Sequence, residues 1–211
     1  MDKDKKRLSC LALFTFLLSP LLAWGSVLAS DETAVFASLS RMIWYSGSSV
    51  QIFIAMAVLF IPMMVSFFLA HQACNMSRRR KIVLRIGMIA SVIVLYLGAM
   101  WVMPSDGKTV TIENIWHGIL SFAGMLMIFL TYCLYTVLIW RKNREEAGLL
   151  AGFLTFTLFT GLFAALNVFD DRSYVMVSAV SELYVLTMMS LIGYLTYYLA
   201  CRKKYAETKM L

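Results

Sequence analysis

Six apolar runs, each long enough to cross a bilayer, alternate with short polar connections, and positive charge falls in every second connection. The runs are Leu8–Ala29, Gly47–Ala70, Ile82–Met103, Ile115–Trp140, Leu149–Phe169 and Val175–Cys201. A hydrocarbon core of about 30 Å is crossed by about 20 helical residues, so all six qualify. Backbone in lipid must satisfy its own hydrogen bonds, which leaves helices or closed barrels. The pattern therefore predicts an all-α integral membrane fold, a bundle of six transmembrane helices.

The charge alternation sets an orientation. Sixteen of the nineteen lysines and arginines lie at the N-terminus, in the second and fourth connections with their flanks, and at the C-terminus; Arg41, Lys108 and Arg172 are the exceptions. By the positive-inside rule both termini face the cytoplasm. The opposite face carries Asp31, Glu32, Asp106, Glu113, Asp170 and Asp171.

With 61% hydrophobic residues in 211, no stretch is left for a soluble domain, and residues 1–211 read as one polytopic membrane domain. The net charge of +7 sits beside helix ends as MDKDKKR, SRRRK, RKNR and CRKK. That placement points to anionic inner-leaflet headgroups rather than nucleic acid. Cys10, Cys74 and Cys201 fall at cytoplasmic helix ends and Cys133 in the inner half of its helix, so no structural disulfide is expected. A cysteine near the inner interface is also a conceivable acylation site, the alternative being a small apolar residue. The N-terminal charges, apolar run and Val27-Leu28-Ala29 also have the three regions of a signal peptide, with cleavage after Ala29. The apolar run is longer than the usual h-region of about 7–15 residues, which favours a retained first helix.

Between the first two runs, Val35, Phe36, Leu39, Met42 and Ile43 recur at helical spacing among polar residues. This predicts a short amphipathic helix in the outer interface, with Trp44 and Tyr45 at headgroup level. Residues 109–112 alternate weakly, enough for a short extended segment. Gly118, Ser121, Ala123 and Gly124 give the fourth helix a close-approach face, and Gly152, Gly161, Ala164 and Ala165 do the same for the fifth. No internal repeat of the inverted-transporter kind is present.

Polar residues inside the spans need an explanation, because an ionisable group at a helix centre costs about 2.5–3.5 kcal/mol on insertion scales. They collect toward the outer face. His117 and Ser121 share one side of the fourth helix, Ser178 and Glu182 one side of the sixth, and Asn167 and Gln51 lie about one turn in on the fifth and second. With Asp106 in the loop above, these seven form a candidate outward-facing ligand pocket. One reading is a His117–Glu182 pair binding a polar headgroup or transferring protons. The other is a set of interhelical hydrogen bonds that fix the bundle, each worth about 0.6–2 kcal/mol.

The second histidine, His71, belongs at the cytoplasmic end, so one haem cannot take both histidines as axial ligands. No cofactor and no metal site is expected. GxSxG, HExxH, Walker A and GxGxxG are missing, and whether the chain is an enzyme stays open.

In order along the chain come Ser38-Leu39-Ser40, Gln51-Ile52-Phe53, Gly98 followed by Pro104 and Asp106, Trp116-His117-Gly118, and Ser181-Glu182. This order resembles the prokaryotic six-helix membrane family known as domain of unknown function 998. It is distantly similar to the Frag/DRAM/Sfk-type membrane proteins of eukaryotes. The resemblance implies six helices with both termini inside, a bacterial inner membrane, and lipid-related roles without a defined mechanism. It would single out Asp106, His117 and Glu182. Where the family pattern has an aromatic after the Ser-Glu pair, this chain has Leu183.

The leading expectation is thus a membrane protein that binds a lipid or amphiphile through the outer pocket. The alternatives are an accessory or scaffold subunit, partnered by another membrane protein or a second copy, and a small transporter. A scaffold should show His117 and Glu182 hydrogen-bonded to neighbouring helices; a binder should have a pocket open to the outer leaflet.

Overall fold

The computed structural model describes residues 2–30, 49–74, 76–100, 112–166 and 179–209. The elements are α1 (Asp2–Leu13), a π-helical turn (Phe14–Leu18), α2 (Ser19–Ser30), α3 (Ser49–Ala73), α4 (Arg78–Met100), α5 (Ile112–Trp140), α6 (Arg144–Leu166) and α7 (Ala179–Lys209). The first three run on as one rod, so the described residues form six helical rods with no strand among them. Five are long and apolar enough to cross a membrane: Asp4–Val27, Val50–Ala73, Arg78–Met100, Trp116–Trp140 and Glu182–Arg202. The remaining rod, α6, ends its described course at Leu166, short of the expected Phe169. The predicted amphipathic helix before α3 and the extended segment at 109–112 fall, but for Ile112, outside the described residues.

Local chemistry explains the one irregular helix. Pro20 has no N–H to give the carbonyl four residues back, and its ring crowds that carbonyl. The chain widens just before it, and Ser19 N–H reaches back five residues to Phe14 O. Thr15, Ser19, Ala23 and Val27 all become fully buried. Positions four apart drift around an α-helix of 3.6 residues per turn, and the wider turn pulls the stripe back into line.

Contacts fix the directions of the rods. Gly98 meets Ser121 while Gly124 meets Leu95, so α4 and α5 are antiparallel. Trp24 bonds Thr187 and Phe16 meets Tyr194, so the first rod opposes α7. Met63 touches Gly193 and Ala70 clusters with Tyr197 and Ala200, so α3 and α7 run side by side in the same direction. Phe67 and Cys74 meet Tyr132 and Tyr135, aligning α5 with them. The N-terminus of α4, the turn after α5 and the C-terminus of α7 therefore lie at one end. This basic end gathers Arg78–Lys81, Arg141, Lys142, Arg144 and Arg202.

The packing is uneven. α4 lies most extensively on α5, and α3 on α7; the first rod rests on α3 and α7, and α6 bridges α5 and α7. The core runs through Ile52, Leu59, Met63, Phe67, Met88, Ile128, Tyr132, Leu183 and Ile192. Large apolar side chains cover the outside, among them Ile61, Val137, Phe156 and Phe159. So large an exposed apolar surface suits a protein whose solvent is lipid rather than water.

Candidate functional site

At the end opposite the basic one, two glycines draw α4 and α5 together. A Cβ on Gly98 would stand 2.7 Å from Ser121 N and 2.8 Å from Ser121 Oγ; one on Gly124 would stand 2.7 Å from Leu95 Cα. Only glycine allows backbones this close. One turn before Ser121, His117 places Nδ1 2.6 Å from Gly98 O. A carbonyl only accepts, so Nδ1 carries the hydrogen and donates it. His117 and Ser121 thus meet the same glycine, one by a hydrogen bond and the other by direct packing.

The other candidates do not join them in the described structure. Glu182 is half-buried in the first turn of α7, where a carboxylate suits the positive end of the helix dipole. Gln51 is exposed near the start of α3. Asp106, Asn167 and Ser178 lie outside the described residues. On α6, Thr160 donates to Phe156 O of its own helix at 2.8 Å. The bond given to His117 runs to α4, whereas Glu182 sits on α7.

The small-residue expectation holds for Gly124 and Ser121 but not for Gly118, where an added Cβ would have nothing within 4 Å. On α6, Gly152 is equally open and Gly161 makes only an ordinary 3.5 Å contact with Val185. Neither glycine of that face is therefore a close approach; the side chains of Ala164 and Ala165 are outside the described ones. Two glycines outside both predicted faces are tight instead. Gly98 is one. Gly193 is the other, where a Cβ would lie 2.9 Å from Tyr132 Oη and 3.0 Å from Met63 Cα.

The expectation that polar residues inside the spans collect toward the outer face was incomplete. Between mid-bundle and the basic end, Ser66, His71, Tyr132 and Ser190 are all buried. The hydroxyls of Ser66, Tyr132 and Ser190 and both ring nitrogens of His71 lack a hydrogen-bond partner. The His71 ring stands edge-on to Phe67 with centroids 4.2 Å apart, and 5.5 Å from the Tyr135 ring. Tyr135 Oη lies 3.1 Å from Cys74 Sγ. A signal was there: Phe67 and His71 are four apart, and Tyr132 and Tyr135 three apart, so each pair shares a helix face. Nearby threonines are self-satisfied, Thr131 and Thr196 each donating at 2.7 Å to the carbonyl four residues back. His71 and His117 stand at opposite ends of the parallel pair α3 and α5, as their positions in the sequence imply.

Comparison with family models, curated proteins and solved structures returns no match for this chain. The resemblance to the six-helix family therefore rests on the short motifs in their order.

Proposed function

We propose that the protein is a multi-pass protein of the cell membrane, with both termini cytoplasmic, whose outer polar residues fix helix packing. It serves as an accessory or scaffold subunit of a membrane assembly. The observation that carries this reading is the His117–Gly98 hydrogen bond, made where a glycine contact already clamps α4 to α5. An imidazole committed to a backbone carbonyl across a helix interface is placed to hold two helices. Gathering of the basic connections at one end supports the orientation.

The test compares wild type with a His117→Ala/Glu182→Gln variant, both purified without detergent, by lipid mass spectrometry and thermal melting. A lowered melting point with the same copurifying lipids is expected. Loss of one specific lipid at an unchanged melting point would replace this reading with a ligand pocket at the outer end. Orientation is checked by fusing to the C-terminus a reporter that is active only in the cytoplasm.

A further inference from the structure

The basic end holds a group of cations that the packing role of His117 does not involve. Arg78, Arg79 and Arg80 are exposed, but Lys81 and Arg85 are half-buried. They are four apart and share one face of α4. Arg85 stands seven residues into the helix, roughly 10 Å along its axis. Its guanidinium carbon lies 5.9 Å from the Phe68 ring centroid on α3, and its Nε is buried without a hydrogen-bond partner. Both cations act electrostatically on His71, the fully buried histidine with two unpartnered nitrogens. No ion pair joins Arg85 or Lys81 to a carboxylate among the described residues. Of the two acidic residues in the first turn of α6, Glu145 is exposed, and Glu146 lies near enough to Tyr135 to act on it electrostatically.

A guanidinium set two turns into an apolar helix with its Nε buried and unpaired is favoured by a counter-charge at the same level. Neither cation is fully buried, and the two helices beside them are loosely joined. α3 and α4 are joined by a short turn yet touch only sparingly, far less than α4 touches α5. The seam between them is closed by rings, Phe53 stacking on Tyr96 with centroids 6.3 Å apart and Phe60 tilting against it at 5.8 Å. Met64, Phe68 and Val92 of the same two helices are half-buried against the core.

We propose that the α3–α4 hairpin holds one anionic phospholipid, its phosphate between Arg85 and Lys81 and an acyl chain along the aromatic seam. The guanidinium fork matches phosphate geometry, and Lys81 supplies the second positive charge. The three exposed arginines attract anionic lipid in general, whereas the half-buried pair selects a place for it.

The experiment places the protein in mixed phosphatidylcholine–phosphatidylglycerol nanodiscs and counts, by native mass spectrometry, the lipids retained on release. Wild type should keep one phosphatidylglycerol in preference to phosphatidylcholine. Arg85→Gln/Lys81→Gln should lower that enrichment about tenfold, while Arg79→Gln/Arg80→Gln leaves it unchanged. Equal loss in both double variants would overturn the site in favour of diffuse attraction. Arg85→Lys, which keeps the charge and protects folding, should retain more enrichment than Arg85→Gln; equal retention by the two contradicts a role for the charge. Inorganic phosphate, matched for ionic strength with chloride, should not displace the lipid. Displacement would mean that the cations take free phosphate, and the lipid assignment would fall. None of these results depends on His117, so the scaffold reading and this site fail separately.

Discussion

Replacing Gly124 with alanine tests the tightest contact in the bundle. The added Cβ would lie 2.7 Å from Leu95 N, Cα and Cβ, where ordinary contact begins at 3.4 Å. Two of those atoms are backbone and the third is fixed to it, so no rotamer change relieves the clash. α4 and α5 must separate by about 0.7 Å at this level. A gap of about 0.5–1 Å forfeits a quarter to a half of the dispersion well for each contact it opens, and this is the largest interface α4 makes. Overpacking costs about 1–3 kcal/mol, against which alanine recovers about 1 kcal/mol of helix propensity. The net loss is up to about 2 kcal/mol, which for a chain of this size lowers the melting temperature by up to roughly 8 °C. The separation also stretches the 2.6 Å bond between His117 and Gly98 on the same interface. Thermal melting in one detergent, with Gly118→Ala as control, reads the effect. Nothing lies within 4 Å of a Cβ at Gly118, so that variant should melt at or above wild type. If Gly124→Ala melts with Gly118→Ala, the close approach of α4 and α5 is wrong.

Three further outcomes follow from side chains. Tyr132→Phe removes a buried hydroxyl that has no partner, and should leave the melting point unchanged or raise it, since burying such a group costs about 1–3 kcal/mol; a clear fall would reveal a partner for that hydroxyl. Trp24→Phe removes the 3.2 Å bond from Nε1 to Thr187 Oγ1 and should destabilise by about 0.6–1.7 kcal/mol, with little further loss when made in a Thr187→Val background. His117→Ala alone should cost a similar amount; a double-mutant cycle with Gly124→Ala should show coupling between the two, and strict additivity would argue against a shared α4–α5 clamp.

The rods were legible because membrane length and charge leave few options. A run such as Ile82–Met103 cannot be satisfied by water, so it must be helical, and its ends follow from Arg78–Lys81 and the later turn residues. Which rod touches which was not legible. The small residues of α6 look as promising as those of α5, but only three-dimensional packing shows Gly124 pressed on Leu95 and Gly152 open. The first rod hid its signal in another way: Thr15, Ser19, Ala23 and Val27 recur every four residues, a period that reads as one face only once the turn before Pro20 is known to be widened. At the candidate site, His117 was found by its cost in lipid, yet its partner is a backbone carbonyl, which no side-chain pattern announces. His71 was correctly placed near a helix end, but the Tyr135 ring beside it comes from α5, a helix distant in sequence.

The bond between Trp24 and Thr187 spans 163 residues, and this has a bearing on how the protein is made. Helices enter a membrane in the order of synthesis, so the first rod is inserted long before the last exists. Until then the hydroxyls of Thr15 and Ser19, which have no partner even in the finished bundle, must wait in lipid or beside an insertion factor. The contact of the first rod with α3 can form early, but the clasp to α7 closes only at the end. A chain halted before α7 would keep its first rod on α3 and leave the side that meets Thr187 and Tyr194 uncovered, where quality-control proteases that recognise a polar stripe in hydrocarbon would find it.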